Sequence, residues 1–249
     1  MSETKELQGI AVGGHGGSAL IQTPDGKLKK RVNRPPEAQF YLSLKDRNLG
    51  DGHKFIPGFH GVEEIDGASW IVIDDLTHGK AKPCILDIKM GLQSFGEDAK
   101  PDKKEAMIAK DKLTTTVTLG QRITGFRTYK IPSSDYHKLG KDVTKKIGTE
   151  DFKQHLQSFF DNGEGLRKDV VKVLLPQVKE FLAWQKSQSA IRVYSSSLLF
   201  VYDALNKEPH GYVKWIDFAH VFDIKDGGHD DGFIFGLEKL VAYFEEIAA

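Results

Sequence analysis

An acidic and a basic residue, Asp87 and Lys89, stand two positions apart in the apolar stretch 83–91, which begins with proline and ends with glycine. In a β-strand, side chains at positions i and i+2 project from the same face. The carboxylate and the ammonium group would therefore lie side by side, while Leu86 and Ile88 would point into a core. Such a pair is suited to handling a hydroxyl group and a phosphate group.

A second carboxylate, Asp217, ends the apolar strand predicted at 211–218, which returns from a strand predicted at 191–203. A strand end holds a carboxylate in place while leaving its oxygens open to a ligand, which favours a metal site. The alternative is a turn or capping aspartate.

A lysine-rich segment at 93–112 follows the first pair, and the sequence predicts a helix from Pro101. Lys103, Met107 and Lys110 would lie roughly on one face of that helix. Such a mixed-charge segment is usually interpreted as a solvent-exposed helix face. An anion site is the alternative, supported by closeness to Asp87 and Lys89 in the sequence.

The first 34 residues contain a glycine-rich turn at 13–17 and a basic strand predicted at 27–32. Glycines let backbone amides approach phosphates, although a flexible hairpin would look the same. A helix is predicted after Pro35 and Pro36. Its Glu37 could pair with a lysine of the preceding strand, but favourable interaction with the helix N-terminus is the preferred interpretation.

The remaining segments form the frame that must position these groups. A buried strand at 68–74 runs into the polar connector 74–79, which reads as either a hinge or an ordinary loop. A short strand at 119–126 carries Arg122. Apolar faces predict core helices at 152–160, at 166–184 with a kink near Pro176, and at 235–247.

Composition narrows the class of protein. The 249 residues carry 35 basic and 35 acidic side chains, so no net field attracts nucleic acid, and we expect no nucleic-acid partner. Cys84 is the single cysteine, which excludes an internal disulfide and suits a reducing compartment. No apolar run reaches the roughly 20 residues of a membrane span. We expect an intracellular protein, cytoplasmic or also nuclear, and a monomer.

Three motifs in this order resemble the inositol polyphosphate kinase family. Its signature Pro-x-x-x-Asp-x-Lys-x-Gly is matched by 83–91, its Ser-Ser-Leu-Leu by 196–199, and its Ile-Asp-Phe by 216–218. Finer features look most like the inositol hexakisphosphate kinase branch, including the Ala-His that follows Phe218 and the tail segment 231–238.

The resemblance implies an α+β, two-lobed, protein-kinase-like fold with an ATP cleft between the lobes and an inositol-phosphate-binding helical insert. Residues 1–78 would form the N-lobe, with the glycine-rich hairpin and the hinge. Residues 79–249 would form the C-lobe, with the signature motif, a substrate-binding segment at about 92–130 and the metal-binding hairpin.

The resemblance also implies roles for individual residues. Asp87 would orient, and could deprotonate, the attacking hydroxyl, and Lys89 would contact both the substrate and the transferred phosphoryl group. The implied nucleotide contacts are Lys29 (or Lys30, depending on strand register), Asp74, Asp75, Leu76, Ser196, Ser197 and Asp217, the last as the magnesium ligand. The implied substrate contacts are Lys89, Lys103, Lys110, Arg122 and His220.

The function implied is ATP- and Mg²⁺-dependent phosphoryl transfer to an inositol polyphosphate, of the pyrophosphate-forming hexakisphosphate kinase type, with room for a broader range of inositol phosphate substrates. The alternatives are an inositol trisphosphate kinase or multikinase acting on ring hydroxyls, and a non-catalytic inositol-phosphate-binding module. A protein kinase is disfavoured, because the chain lacks a His-Arg-Asp loop and has Asp-Phe-Ala at 217–219 in place of Asp-Phe-Gly.

Overall fold

The computed structural model describes residues 19–249, in which two large antiparallel sheets, a two-stranded pair and several helices form an α+β fold. The glycine-rich turn predicted at 13–17 lies outside the described residues. No helix among the described residues is long and apolar enough to cross a membrane.

The elements follow one another along the chain with short connections. The strands are β1 (Leu20–Gln22), β2 (Lys27–Arg31), β3 (Phe59–Ile65), β4 (Ala68–Asp74), β5 (Pro83–Met90), β6 (Gln121–Lys130), β7 (Asp135–Leu139), β8 (Ile191–Val193), β9 (Ser197–Asp203), β10 (Gly211–Ile216) and β11 (Val221–Asp223). The helices are α1 (Pro35–Ser43), α2 (Pro101–Asp111), α3 (Thr116–Leu119), α4 (Lys141–Thr144), α5 (Phe152–Phe160), α6 (Lys168–Ser187) and α7 (Asp231–Ala248), with 3₁₀ turns at Leu44–Asp46 and Gly50–Phe55.

The first sheet has the strand order β1-β2-β4-β3, and helix α1 leads from β2 towards β3. The second has the order β10-β9-β5-β6-β7, so the signature strand β5 is its central strand. Strands β8 and β11 form a separate two-stranded pair. The chain passes from the first large sheet to the second over residues 75–82, and the boundary predicted after residue 78 lies in this connection.

One face of the second sheet is buried against α5, α6 and α7. Aromatic side chains dominate this core, and Phe126, Phe159, Phe181 and Trp215 are each at most 1% exposed. Burying each phenylalanine contributes about 2 kcal/mol from apolar surface alone. The rings also pack against one another, as Phe126 does against Phe159, and Phe181 against Trp215. With this face filled by helices, the opposite face of the sheet is left for chemistry.

Helix α6 continues through Pro176, which lies inside its residue range, and the kink expected there stays a prediction. The strand predicted at 119–126 begins later and runs on to Lys130, because α3 occupies 116–119 and Gly120 ends it with a left-handed φ of 62°. A side chain at position 120 would collide with the backbone of α7 at Gly236, so this turn needs glycine.

Candidate active site

The strand register places Asp87 and Lys89 on one face of β5, as predicted. Asp87 pairs with Leu199 of β9, and Lys89 pairs with Ser197. The alternate residues Leu86 and Ile88 are fully buried on the other face. Because β5 is held on both sides by neighbouring strands, its two charged side chains project from a rigid support.

The Asp87 carboxyl group is in an unfavourable environment for a charge. It is 5% exposed, and its Oδ1 has no hydrogen-bond partner among residues 19–249. Burial, reinforced by the charge of Asp217 and opposed by Lys89, raises the pKa of Asp87 to about 6. Its carboxylate is therefore a base that titrates close to neutral pH.

This raised pKa predicts a pH-dependent contribution to stability. Between the unfolded pKa of 3.8 and the folded pKa of about 6, the folded state binds more protons than the unfolded state, so stability falls as pH rises. For Asp87 alone, the free energy of unfolding should be about 1 kcal/mol higher at pH 5 than at pH 7. Urea unfolding of wild type and Asp87→Asn at pH 5 and at pH 7 gives the free energy of unfolding of each protein, and wild type minus variant isolates the contribution of Asp87. If this difference is the same at both pH values, the prediction is refuted.

Lys89 is held against the backbone at the start of β9. Its Nζ donates to the Ser195 carbonyl oxygen over 2.6 Å and to the Ser195 hydroxyl over 3.0 Å. Ser195 has a left-handed φ of 62°, which places its carbonyl and hydroxyl oxygens towards the same ammonium group. Burial lowers the pKa of Lys89, while Asp217 and Asp87 oppose this effect.

Lys30 of β2 connects the first sheet to Asp217. Its Nζ lies 2.8 Å from Glu37 Oε1 and 2.5 Å from Asp217 Oδ1. Lys29 points to the opposite face of the strand and pairs with Glu63 over 2.6 Å. Strand register therefore turns Lys30, the alternative that the sequence left open, and not Lys29, towards Asp217, whereas the contact of either lysine with ATP stays a prediction.

The preferred interpretation of Glu37, a favourable interaction with the helix N-terminus, also differs from what the structure shows. The Glu37 carboxylate is 6% exposed, pairs with Lys30 and accepts a hydrogen bond from the Phe218 backbone N–H. Burial alone lowers the pKa of Lys30, but Asp217 and Glu37 outweigh it and raise the pKa, so this lysine is charged. Pairing with lysine, rather than capping of the helix, explains why a glutamate stands here.

The backbone at Asp217 is unusual for a residue other than glycine, with a φ of 67°. This conformation costs about 1–2 kcal/mol, although aspartate and asparagine tolerate it better than most residues. The next residue, Phe218, is fully buried and stacks on Phe40 of α1 at 4.2 Å between ring centroids. Anchoring of Phe218 keeps the Asp217 carboxylate beside Lys30.

The predicted hinge residues use their side chains to shape the connection itself. Asp74 accepts bonds of 2.8 Å from the Gly58 N–H and from His60. The Asp75 carboxylate accepts bonds from Gln22 and from the backbone and hydroxyl of Thr77.

The Leu76 carbonyl oxygen accepts a hydrogen bond from the hydroxyl of Tyr212 on β10. The hinge is thereby attached to the second sheet as well as the first. A ribose contact by Asp75 would have to compete with the bonds that its carboxylate already makes.

The two predicted serines lie in different environments. The hydroxyl of Ser196 accepts a bond from Trp215 over 2.9 Å and donates to the Val193 carbonyl, so it is committed to the core. The hydroxyl of Ser197 makes no hydrogen bond of ordinary geometry within the part of the chain that the structure describes, but it lies close enough to the Asp87 carboxyl to lower the pKa of that group. Ser197 is the member of the pair that remains available to the site.

Arg122 of β6 lies directly opposite Lys89 in the strand register. Its Nε is buried and makes no hydrogen bond to any described residue. Burial lowers the pKa of Arg122, and the charges of Asp111 and Asp87 oppose that effect. A buried guanidinium without a partner on Nε is a strong donor for an anionic ligand.

His220 lies among cations from both halves of the chain. Its Nε2 is 2.6 Å from Arg34, which precedes α1. Burial lowers the pKa of His220, and the positive charges of Arg34, Lys103 and Lys89 add to this, against Asp98. The structure thus brings Lys103 towards Lys89 and His220. The side chain of Lys110 is exposed on α2, and its role stays a prediction.

Arg34 was not found from the sequence. It belongs to no motif there, and its only signal is that it is a basic residue directly before the two prolines that open α1. Only the packing of α1 against the second half of the chain, through Phe40 and Phe218, brings it to His220.

A divalent cation fits the carboxylates at this site. Asp217 and Asp87 lie close enough to disfavour each other's charge, and Asp87 keeps one oxygen without a partner. Carboxylate oxygens are the ligands that Mg²⁺ prefers, and Mg²⁺ is commonly held by one or two of them plus phosphates and water. Among the described residues no group of three or more His, Cys, Asp or Glu could form a complete cage.

Comparison with known proteins gives a consistent result. The family model described as inositol polyphosphate kinase matches residues 70–245. The human inositol polyphosphate multikinase is 30% identical over 196 residues, covering 74% of this chain and 47% of the relative. The human inositol hexakisphosphate kinase 3 is 32% identical over 207 residues, covering 71% and 50%. The chain thus spans about half the length of the curated relatives it matches.

Solved structures show the same fold. The inositol phosphate multikinase Ipk2 of S. cerevisiae, in complex with ADP and Mn²⁺, superposes with a TM-score of 0.79 at 24% identity, covering 90% of this chain and 99% of that one. A structure from protein engineering of an inositol phosphate multikinase gives a TM-score of 0.75 at 27% identity, covering 85% and 99%. The two-lobed, kinase-like α+β fold implied by the sequence motifs is confirmed.

Proposed function

This chain belongs to the inositol polyphosphate kinase family, and from that membership we propose that it transfers the terminal phosphoryl group of ATP to an inositol polyphosphate. One observation carries the proposal: Lys30, Asp87, Lys89 and Asp217 converge on one cleft from two strands, β2 and β5, and from the end of a third, β10. Cations from α2, β6 and the segment before α1 surround this group.

The nucleotide would lie between the two sheets. We expect adenine at the backbone of residues 74–76 and the phosphates at Lys30, whose ammonium group is already held by Glu37 and Asp217. Asp217 would hold the Mg²⁺, with Ser197 near it. When bound, the cation supplies neutralisation of charge on the transferred phosphoryl group.

Asp87 would act on the attacking oxygen. With a pKa of about 6 it is mostly ionised at pH 7, yet basic enough to accept a hydrogen bond or a proton from a hydroxyl group. If the acceptor is an existing phosphate, whose dianion attacks without losing a proton, Asp87 would serve to hold the metal and orient the nucleophile. Lys89, two positions along, would stabilise the phosphoryl group as it passes between oxygens.

The substrate would be held by the surrounding cations. Arg122 offers a buried guanidinium, Lys103 and Arg34 offer exposed charges, and His220 offers a neutral ring at pH 7. A ligand with several phosphates would meet several of these groups at once. The exposure of Lys103 and Arg34 suits a hydrated polyanion better than an apolar ligand.

The acceptor position has two candidates. The motifs around 83–91 and 216–220 favour the hexakisphosphate kinase type, which forms a pyrophosphate. The relatives include multikinases and hexakisphosphate kinases at similar identity, so they support a ring-hydroxyl kinase equally. A non-catalytic binding module is the third alternative, disfavoured because Asp87, Lys89 and Asp217 are all present.

A substrate panel tests the proposal and separates the candidates. The protein is incubated with ATP, Mg²⁺ and each inositol phosphate from the trisphosphate to the hexakisphosphate, and product positions are assigned by NMR. A pyrophosphate formed from the hexakisphosphate supports the first candidate, and ring phosphorylation of lower species supports the second. Binding without turnover on every substrate would leave the non-catalytic module, and absence of both binding and turnover would overturn the proposal.

Two neighbouring lysines provide an internal control for the nucleotide site. Lys30→Met removes a charge that lies between Asp217 and the expected phosphates, so we expect kcat/KM for ATP to fall about 100-fold. Lys29→Met removes the same charge one residue away, on the opposite face of β2 beside Glu63, and should change kcat/KM for ATP less than about twofold. Steady-state kinetics with varied ATP measure both, and equal effects would exclude Lys30 from phosphate binding.

A further inference from the structure

Helix α2 carries Lys103 but has little packing of its own. Nearly all of its residues are exposed, and its one buried residue is the last, Asp111, which is 4% exposed. Met107 is partly buried, and the other apolar residue with a large side chain, Ile108, is 36% exposed. Apart from the Lys104 ammonium, which lies 5.5 Å from the centroid of the Phe95 ring, this helix has little packing to hold it, and its one buried contact is a polar one at its end.

That contact closes the segment 94–111 at its base. Asp111 accepts a hydrogen bond of 2.8 Å from the Ser94 N–H on one carboxylate oxygen and one of 2.7 Å from the Ser94 hydroxyl on the other. Ser94 follows Gly91, the end of the signature motif, by three residues. The carboxylate thus ties the end of α2 to the loop that leaves β5, and both bonds are buried.

The charge of Asp111 also acts on Arg122, which lies opposite Lys89 in the strand register. Burial lowers the pKa of Arg122, and the negative charges of Asp111 and Asp87 oppose that effect. After Asp111 the chain turns, passes through α3 and enters β6, and the Thr115 hydroxyl before α3 donates to the carbonyl oxygen of Gln121 at the start of β6 over 2.7 Å. The Asp111 carboxylate therefore lies at the junction of the loop after β5, helix α2 and the turn that leads towards β6.

We propose that Asp111 is a positioning residue, which through its two hydrogen bonds to Ser94 fixes helix α2 relative to Asp87 and Lys89. Its kinetic consequence rests on the proposed function, because it concerns binding of the polyanion. Loss of the carboxylate should loosen substrate binding while leaving the nucleotide site, built from Lys30, Asp217 and the hinge, intact.

Kinetics with a matched control test this role. Asp111→Asn should raise KM for the inositol phosphate about tenfold, because a small misplacement of binding groups is costly, and should change KM for ATP less than twofold. Asp102→Asn removes the same charge from the exposed first turn of the same helix and should change both values less than twofold. A parallel rise of both KM values in Asp111→Asn, or equal effects of the two variants, would overturn the proposal.

Limited trypsin digestion gives a readout that does not depend on activity. The bonds after Lys103, Lys104, Lys110 and Lys112 should be cut about tenfold faster in Asp111→Asn than in wild type, while sites elsewhere keep their wild-type rates. Ser94→Ala, which removes only one of the two bonds, should give an intermediate rate and covers the case in which Asp111→Asn does not fold. Unchanged cutting within α2 in both variants refutes the positioning role, whereas faster cutting with no turnover in wild type refutes only the proposed function.

Discussion

The variant Asp217→Asn is expected to lose more than about 1,000-fold in kcat, because it removes the carboxylate charge expected to hold the divalent cation beside the phosphates. Asparagine tolerates the left-handed backbone at this position nearly as well as aspartate, so the turn before Phe218 should survive. Lys30 keeps its bond to Glu37. The loss should therefore be one of chemistry and not of folding.

Three measurements separate these effects. Steady-state kinetics give kcat, titration of ATP with and without Mg²⁺ gives the metal-dependent part of nucleotide affinity, and thermal unfolding reports stability. Asp223→Asn is the matched control, because Asp223 is an exposed aspartate six residues away that pairs with Arg47. A kcat for Asp217→Asn within tenfold of wild type would exclude Asp217 as the metal ligand.

The variant Asp87→Asn is expected to bind ATP normally and to lose about 100- to 10,000-fold in kcat, the range for removal of a general base. Asparagine has nearly the same shape, so the pairing of β5 with β6 and β9 should be preserved. The pKa of about 6 gives a second signature. Wild-type kcat/KM for the inositol phosphate should fall as pH drops through 6, since protonation removes the base.

The pH profile distinguishes this role from simple damage to the site. In Asp87→Asn the residual activity should not show the fall through pH 6, whereas Asp135→Asn, an exposed aspartate on β7 of the same sheet, should keep both the wild-type rate and the wild-type profile. If Asp87→Asn retains kcat within threefold of wild type, Asp87 takes no part in the reaction. A retained pH dependence with low kcat would assign the titration to another group.

Local patterns were enough for the parts of the site that lie within one strand. Alternation along 83–90 predicted which side chains share a face, because the period of a strand is a property of the backbone. The three motifs, with their order, predicted the family and its fold. The core helices followed from their apolar faces for the same reason.

Local patterns could not predict which of two identical neighbouring residues faces the site. Lys29 and Lys30 are chemically identical neighbours, and only the pairing of β2 with β4 decides which one faces Asp217. Ser196 and Ser197 are likewise equivalent in the sequence, and the packing of Trp215 commits the first to the core.

The sequence by itself determined the chemistry available to this protein: a carboxylate and an ammonium group on one strand face, a second carboxylate at a strand end, and cations nearby. Tertiary structure alone decided how these groups act on one another. Glu37 pairs with Lys30, Arg34 reaches His220, and Asp217 helps to raise the pKa of Asp87. Each of these effects depends on distance and burial between segments far apart in the chain, and electrostatic energies are set by those two quantities.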